Sequence, residues 1–164
     1  MSVLSDFKKR IKKYHFIESM NDLGFTFGPK KFWFYRVRDD FIDTIKFQFL
    51  DSGRGLRISI STYIPIILDD YDMSDFPKGF FEAEGNITRL YLTRSGIGYG
   101  GGNWQIASED QLKISLTDIV FKVKDELIPW FDKIDSKKSL YDSIHDDFKR
   151  DEEFGDNYKV LLME

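Results

Sequence analysis

The sequence predicts an α+β domain: an antiparallel sheet of about five strands with a meander core, packed by an N-terminal helix and two C-terminal helices. Three observations carry this expectation. The stretch from Lys31 to Pro65 holds three runs rich in aromatic and β-branched residues, parted by Arg38-Asp39-Asp40 and by the turn-forming residues 51–55. The segments before and after it repeat apolar residues at three- and four-residue spacing, the helical period. Aromatic residues make up 16% of the chain, with 16 Phe, 8 Tyr and 3 Trp, which suits the wide space between a sheet and its helices.

Residues 2 to about 23 form the first expected element, an amphipathic helix. Val3, Leu4, Phe7, Ile11, Tyr14, Ile17, Met20 and Leu23 share one face, and the lysines take the other. Ser2 or Ser5 can cap its start, and Gly24 can end it in a left-handed conformation. Gly28-Pro29 is a turn signal, and three strands follow over roughly 31–38, 41–50 and 55–64. In the second, Ile45, Phe47 and Phe49 alternate with Thr44, Lys46 and Gln48. In the third, Leu56, Ile58, Ile60 and Ile64 alternate with Arg57, Ser59 and Ser61. Such alternation predicts one covered face and one wet face. The first strand departs from it, because Trp33, Tyr35 and Val37 oppose Phe32 and Phe34. That strand is either covered on both sides or carries an exposed aromatic row.

Pro65 ends the third strand, since proline cannot donate to the ladder. Residues 66–86 show no clean period and predict a long acidic loop bearing Tyr71, Phe76, Phe80 and Phe81. Ile87 to Arg94 reads as a fourth strand. The glycine run from Gly96 to Gly102 then leads, as a hairpin, into a short fifth strand over Asn103 to Ala107. Ser108, followed by Glu109, Asp110 and Gln111, is a capped helix start with an acidic first turn. Leu112, Leu116, Ile119, Val120, Val123, Leu127 and Ile128 give the inward stripe of a long helix, which Pro129 should kink or end near Leu127. Ser136 can cap a second C-terminal helix with Leu140, Tyr141, Ile144 and Phe148 inward. Gly155-Asp156-Asn157 breaks it and leaves residues 158–163 as a short apolar tail. With no internal repeat and no low-complexity linker, residues 1–164 are expected to form a single domain.

Composition narrows the function classes. Hydrophobic residues at 41% and charged residues at 32% exclude a disordered chain. The absence of cysteine removes disulfides, thiol nucleophiles and thiolate metal sites together. The basic N-terminal stretch is followed by no continuous apolar core, so no secretory signal is expected. No window approaches the roughly 18 uninterrupted apolar residues of a membrane span. These features point to a cytoplasmic, soluble protein without membrane association. The formal charge of −4 is unevenly spread. Lys8, Lys9, Arg10, Lys12 and Lys13 make a basic start; Asp69, Asp70, Asp72, Asp75, Glu82 and Glu84 an acidic centre; and residues 142–156 an acidic end. Charge asymmetry can steer charged partners, but a set of solvated faces is the favoured reading of it. Because the basic run is short and the whole chain is acidic, nucleic acid is not an expected partner.

Tests for chemistry find no signature. Gly96, Gly98, Gly100, Gly101 and Gly102 would need a following lysine, hydroxyl residue and helix to cradle phosphate, and Asn103-Trp104 follows instead. His15 and His145 are the only histidines, and neither sits in a pattern with a nucleophile. Two histidines without cysteine make a poor zinc set. The segment from Asp69 to Asp75 lacks the glycine and distal glutamate of a calcium loop. No cofactor, metal or catalytic residue is expected, and no two of the 28 acidic residues stand out as a hydrolytic pair.

Four sets of residues carry a resemblance. Leu23-Gly24-Phe25 follows the first helix, Phe34-Tyr35-Arg36 lies in the first long strand, and Phe47-Gln48 in the next. Further on, Trp130-Phe131-Asp132 precedes Ser139-Leu140. This arrangement resembles the bacterial domain of unknown function 4304 family, over about two thirds of the chain and not over residues 66–102. The resemblance implies an α+β fold and brings no established activity and no catalytic residues.

Two functional readings follow. One is a non-catalytic intracellular binding protein that masks a protein partner, in its specific form an immunity protein that neutralises a basic bacterial toxin such as a nuclease. Its contact residues would be Asp69, Asp70, Tyr71, Asp72, Asp75 and Phe76, with Trp33 and Tyr35 as the candidates for an exposed working face. The other is a small enzyme with a cleft over the sheet face. A structural or regulatory interaction module is a third possibility that the residues leave open.

Overall fold

The computed structural model describes residues 2–28, 31–65, 76–77, 80, 86–100, 102–150, 159 and 162. Helix α1 (Val3–Ile11) starts at Ser2, whose hydroxyl accepts from the Ser5 amide at 3.1 Å. The single helix expected over residues 2–23 is instead two. A short 3-10 turn, Lys12–Tyr14, and a left-handed His15 (φ 53°) separate α1 from α2 (Phe16–Asp22). The break has a packing cause. Phe16 lies off the stripe of one continuous helix, and the re-phasing turns Phe16 and Met20 into the core while Ile17 stays at its margin. Gly24 (φ 97°) then ends α2 in the left-handed region, as its sequence position implied.

Among the described residues, seven strands form one antiparallel sheet: β1 (Thr26–Phe27), β2 (Trp33–Arg38), β3 (Phe41–Leu50), β4 (Gly55–Tyr63), β5 (Leu90–Thr93), β6 (Gly96–Gly98) and β7 (Trp104–Gln105). They neighbour one another in the order β1 to β6, and β7 lies beside the start of β4. The meander of β2, β3 and β4 is the centre that residues 31–65 foretold. Two details differ from expectation. The glycine run supplies a strand of its own, β6, in a tight hairpin with β5. In that hairpin the Thr93 hydroxyl donates to the Gly96 carbonyl at 2.7 Å. The Trp104 strand pairs β4 rather than the fourth strand, with Leu56 opposite Trp104, and the buried indole donates to the Leu92 carbonyl at 2.9 Å. One edge of β4 thus carries β7 and then β5.

The C-terminal half is helical. Helix α3 (Glu109–Lys122) opens with a capping box between Ser108 and Gln111. Of the two outcomes expected from Pro129, a kink or an end near Leu127, the end does not occur, and the regular α-helical register is interrupted just before the proline. A wide π turn over Val123–Leu127, in which Ile128 N–H donates to Val123 O five residues back, carries the chain past Pro129 into α4 (Ile128–Asp132). The wider register absorbs the missing proline donor. Helix α5 (Lys137–Ser143) starts at Ser136, and α6 (Asp146–Arg150) follows after a sharp break at Ile144.

Two cores result, one on each side of the sheet. On the first, Phe34, Ile45, Phe47, Leu56, Ile58, Ile60 and Leu92 meet Phe7, Ile11, Phe16 and Met20 from α1 and α2 and the inward stripe of α3. The Phe7, Phe16, Phe32 and Phe47 rings interlock with centroids 4.9–6.5 Å apart. Each such buried ring contributes on the order of 2–3 kcal/mol. On the second, Trp33, Ile42 and Tyr63 meet Phe80, Ile134, Leu140 and Ile144, and Ile64 joins this side rather than the first. Here strict alternation misled: the second face is dry at one end of the meander and wet only at the other, around Gln48 and Arg57. Thr44 and Ser61 are buried on it because their groups are paired; Thr44 Oγ1 donates to Ser61 O at 3.3 Å and Ser61 Oγ to Asn86 Oδ1 at 3.1 Å. Among the described residues no helix is long and apolar enough to cross a membrane.

Candidate partner-binding surface

Charged side chains gather where β2, β3 and β4 run out from under the first core. Cross-strand register sets Arg36 opposite Asp43, and Asp43 opposite Thr62. Opposed residues project to the same face, so these three converge, with Arg38 one step along. Asp43 is fully buried. Its Oδ2 accepts from Arg36 Nε at 2.9 Å and Arg38 Nε at 2.7 Å, while Oδ1 accepts from Arg38 Nη2 at 2.9 Å and the Thr62 hydroxyl at 2.8 Å. Arg36 Nη2 also reaches Asp132 on α4 at 3.0 Å, and its guanidinium lies against the Phe25 and Phe131 rings. With both oxygens engaged by donors, this carboxylate is built to fasten helix to sheet and not to take a proton from a substrate. The sequence did hold a sign of it. Asp43 has the inward parity of Phe41, Ile45 and Phe47, and Arg36 and Arg38 share that face.

A second charged cluster lies at the surface, where α1 meets the start of α3. Glu109 sits 2.6 Å from Lys13 Nζ and accepts from the Tyr14 hydroxyl at 3.0 Å and from Arg10 Nε at 3.3 Å. The hydrogen bond from Lys13, then those from Tyr14 and Arg10, hold its carboxyl at a pKa of about 2, and the same contact raises the Lys13 ammonium. This cluster ties α1 to the start of α3. His145 caps α6: its Nδ1 accepts from the Asp147 amide at 3.1 Å, and the exposed Tyr99 ring stands 5.3 Å from its imidazole. Among the described residues no group of three or more histidine, aspartate or glutamate side chains converges as a metal site.

Of the eight residues read from the sequence as contacts, Asp69, Asp70, Tyr71, Asp72 and Asp75 lie outside the described residues. The other three come together. Trp33 is fully buried, with the Tyr35 ring 5.4 Å away and the Phe80 ring 5.8 Å away. Phe76 meets Tyr35 edge-on at 5.0 Å and Phe80 at 5.2 Å. Trp33 is therefore not displayed on an exposed face; the second core covers it. Tyr35 is half-buried beneath Phe76. The aromatic row of β2 is a platform on which the chain following the acidic residues lands. The chain preceding them leaves from the same core, through buried Ile64.

A second surface was missed. Ile114 and Phe121 on α3 are 70% and 60% exposed, and they line an open groove of about 640 Å³ with Lys113, Thr117 and Asp118. Both fall off the inward stripe of the helix, which was the sign available in the sequence. Among the described residues, further open clefts of about 200 to 330 Å³ lie at the edges of α1, α2 and α3.

The chain matches no protein-family model, and no curated protein or solved structure matches it at a significant level.

Proposed function

We propose that the protein is a non-catalytic binding protein that captures a basic protein partner through the acidic segment from Asp69 to Asp75. In its specific form it is an immunity protein that neutralises a toxin such as a nuclease. One observation carries this reading. The chain on either side of the acidic segment is anchored in the same core, by Ile64 before it and by Phe76 on Tyr35 after it. Anchoring both ends limits the conformational entropy lost when the segment meets a partner. Five acidic or aromatic residues between such anchors suit a basic surface, where complementary charge speeds encounter and fixes register. The enzyme reading has less behind it. Both oxygens of the described buried carboxylate accept hydrogen bonds, and no serine or threonine hydroxyl described in the clefts is hydrogen-bonded to a carboxylate or imidazole.

The test is capture from the source lysate with the wild type and with the triple variant Asp69→Lys, Asp70→Lys, Asp72→Lys. The reading expects one specific basic protein on the wild type, its loss on the variant, and closely similar melting temperatures. Equal capture by both forms would remove the acidic segment from the interface.

A further inference from the structure

We infer that the exposed face of α3 is a self-association surface, on which a second copy of this chain packs its own α3 in parallel about a twofold axis. Ile114, Thr117 and Phe121 follow one another at spacings of three and four and form a single stripe on the outward side of the helix. Ile114 and Phe121 are the exposed large hydrophobic side chains on that helix, and a solvated helix normally carries polar residues there. The stripe is flanked by opposite charges, Lys113 on one side and Asp118 on the other, both lining the same groove.

Neither Lys113 nor Asp118 makes an ion pair or a side-chain hydrogen bond with any described residue. Arg94 borders the cleft that Asp118 also borders, without pairing with it. The five-residue offset selects the occupant. When two helices pack in parallel with Ile114 and Phe121 in the seam, the residue just before the first seam position faces the residue four after it on the partner. Lys113 then meets Asp118 of the second copy, and twofold symmetry repeats the pair with the roles exchanged. In an antiparallel pairing each flank would face its own kind, lysine near lysine, which disfavours that arrangement. A foreign partner would require complementary charges of its own; a second copy supplies them automatically.

The stripe lies on a helix of 14 residues, about 21 Å long, so the buried area falls below the ~800 Å² per partner of a standard interface. The dimer is accordingly weak, with a dissociation constant on the order of 10–100 μM. Sedimentation equilibrium from about 5 μM to about 1 mM covers that range. The wild type is expected to show a monomer–dimer equilibrium, and Phe121→Glu to be monomeric with an unchanged circular dichroism spectrum. Lys113→Glu and Asp118→Lys should each weaken association about tenfold. An equimolar mixture of those two variants should restore it, because every cross-pair then joins glutamate to lysine or aspartate to lysine. Should Phe121→Glu misfold, the mixture alone decides. A wild type that stays monomeric throughout, a dimer indifferent to Phe121→Glu, or a mixture no tighter than its components would each overturn the proposal. Loss of a foreign protein from Phe121→Glu, with no wild-type dimer, would assign the face to that protein instead.

Discussion

Asp43 and Asp132 share one guanidinium: Arg36 Nη2 stands 2.9 Å from the buried Asp43 Oδ2 and 3.0 Å from the exposed Asp132 Oδ1. The two carboxylates differ sharply in consequence. Replacing Asp43 with Asn leaves two arginines partly buried without their anion, and such losses cost about 3–5 kcal/mol. Asp132 is 55% exposed, so Asp132→Asn should cost only about 0–1 kcal/mol. Urea denaturation of both variants checks this. Equal losses would mean that the buried cluster is not what fastens β3.

A second expectation concerns Gly28. Its amide donates to the Trp33 carbonyl at 2.8 Å, and a Cβ built on it would overlap the Trp33 indole. Gly28→Ala must therefore push the indole off its seat in the second core, at about 1–3 kcal/mol. The loss should be smaller in a Trp33→Leu background, where the ring is gone. A double-mutant cycle measures that coupling.

Glu109 gives a pH dependence with a definite sign. Its carboxyl is held at about 2 in the folded chain, against an ordinary value of 4.5, chiefly by Lys13. A depressed acid contributes its stabilisation above the unfolded value and loses it as pH falls through the folded one. Stability should thus decline between about pH 4.5 and pH 2, and Glu109→Gln should flatten that part of the profile. Added salt should shrink the difference, because the pair lies in solvent. Melting curves of both forms at several pH values decide it.

Phe76 separates anchoring from folding. Its ring touches Tyr35 and Phe80 but is only half-buried, so Phe76→Ala should cost about 1–2 kcal/mol. If the acidic segment works because its ends are fastened, partner affinity should fall while the fold persists. Unaltered affinity would show that Phe76 serves the core alone.

The sheet was legible because period-two alternation in β3 and β4 is a local property of the chain. The caps at Ser2, Ser108 and Ser136 were legible for the same reason. What failed depended on distant packing. The apolar positions from Val3 to Leu23 fit one helix, and only the seat of Phe16 among Phe32, Phe34 and Phe47 shows why the chain breaks at His15. The second core was hidden because Thr44 and Ser61 read as wet, although hydrogen bonds allow their burial. Trp33 read as a possible contact for the same reason: what lies over it comes from Phe80 and from residues more than a hundred positions on. At the surface, Ile114 and Phe121 were present as exceptions to the α3 stripe, but their exposure is decided by what does not pack there.

The acidic segment from Asp69 to Asp75 is proposed to carry partner recognition. The most direct measurement is the association rate of the captured partner with the wild type and with the triple lysine variant, across a salt series. An electrostatic interface predicts a wild-type rate that falls steeply with salt and no measurable association by the variant. A variant that associates at the wild-type rate, with the same salt dependence, would contradict it.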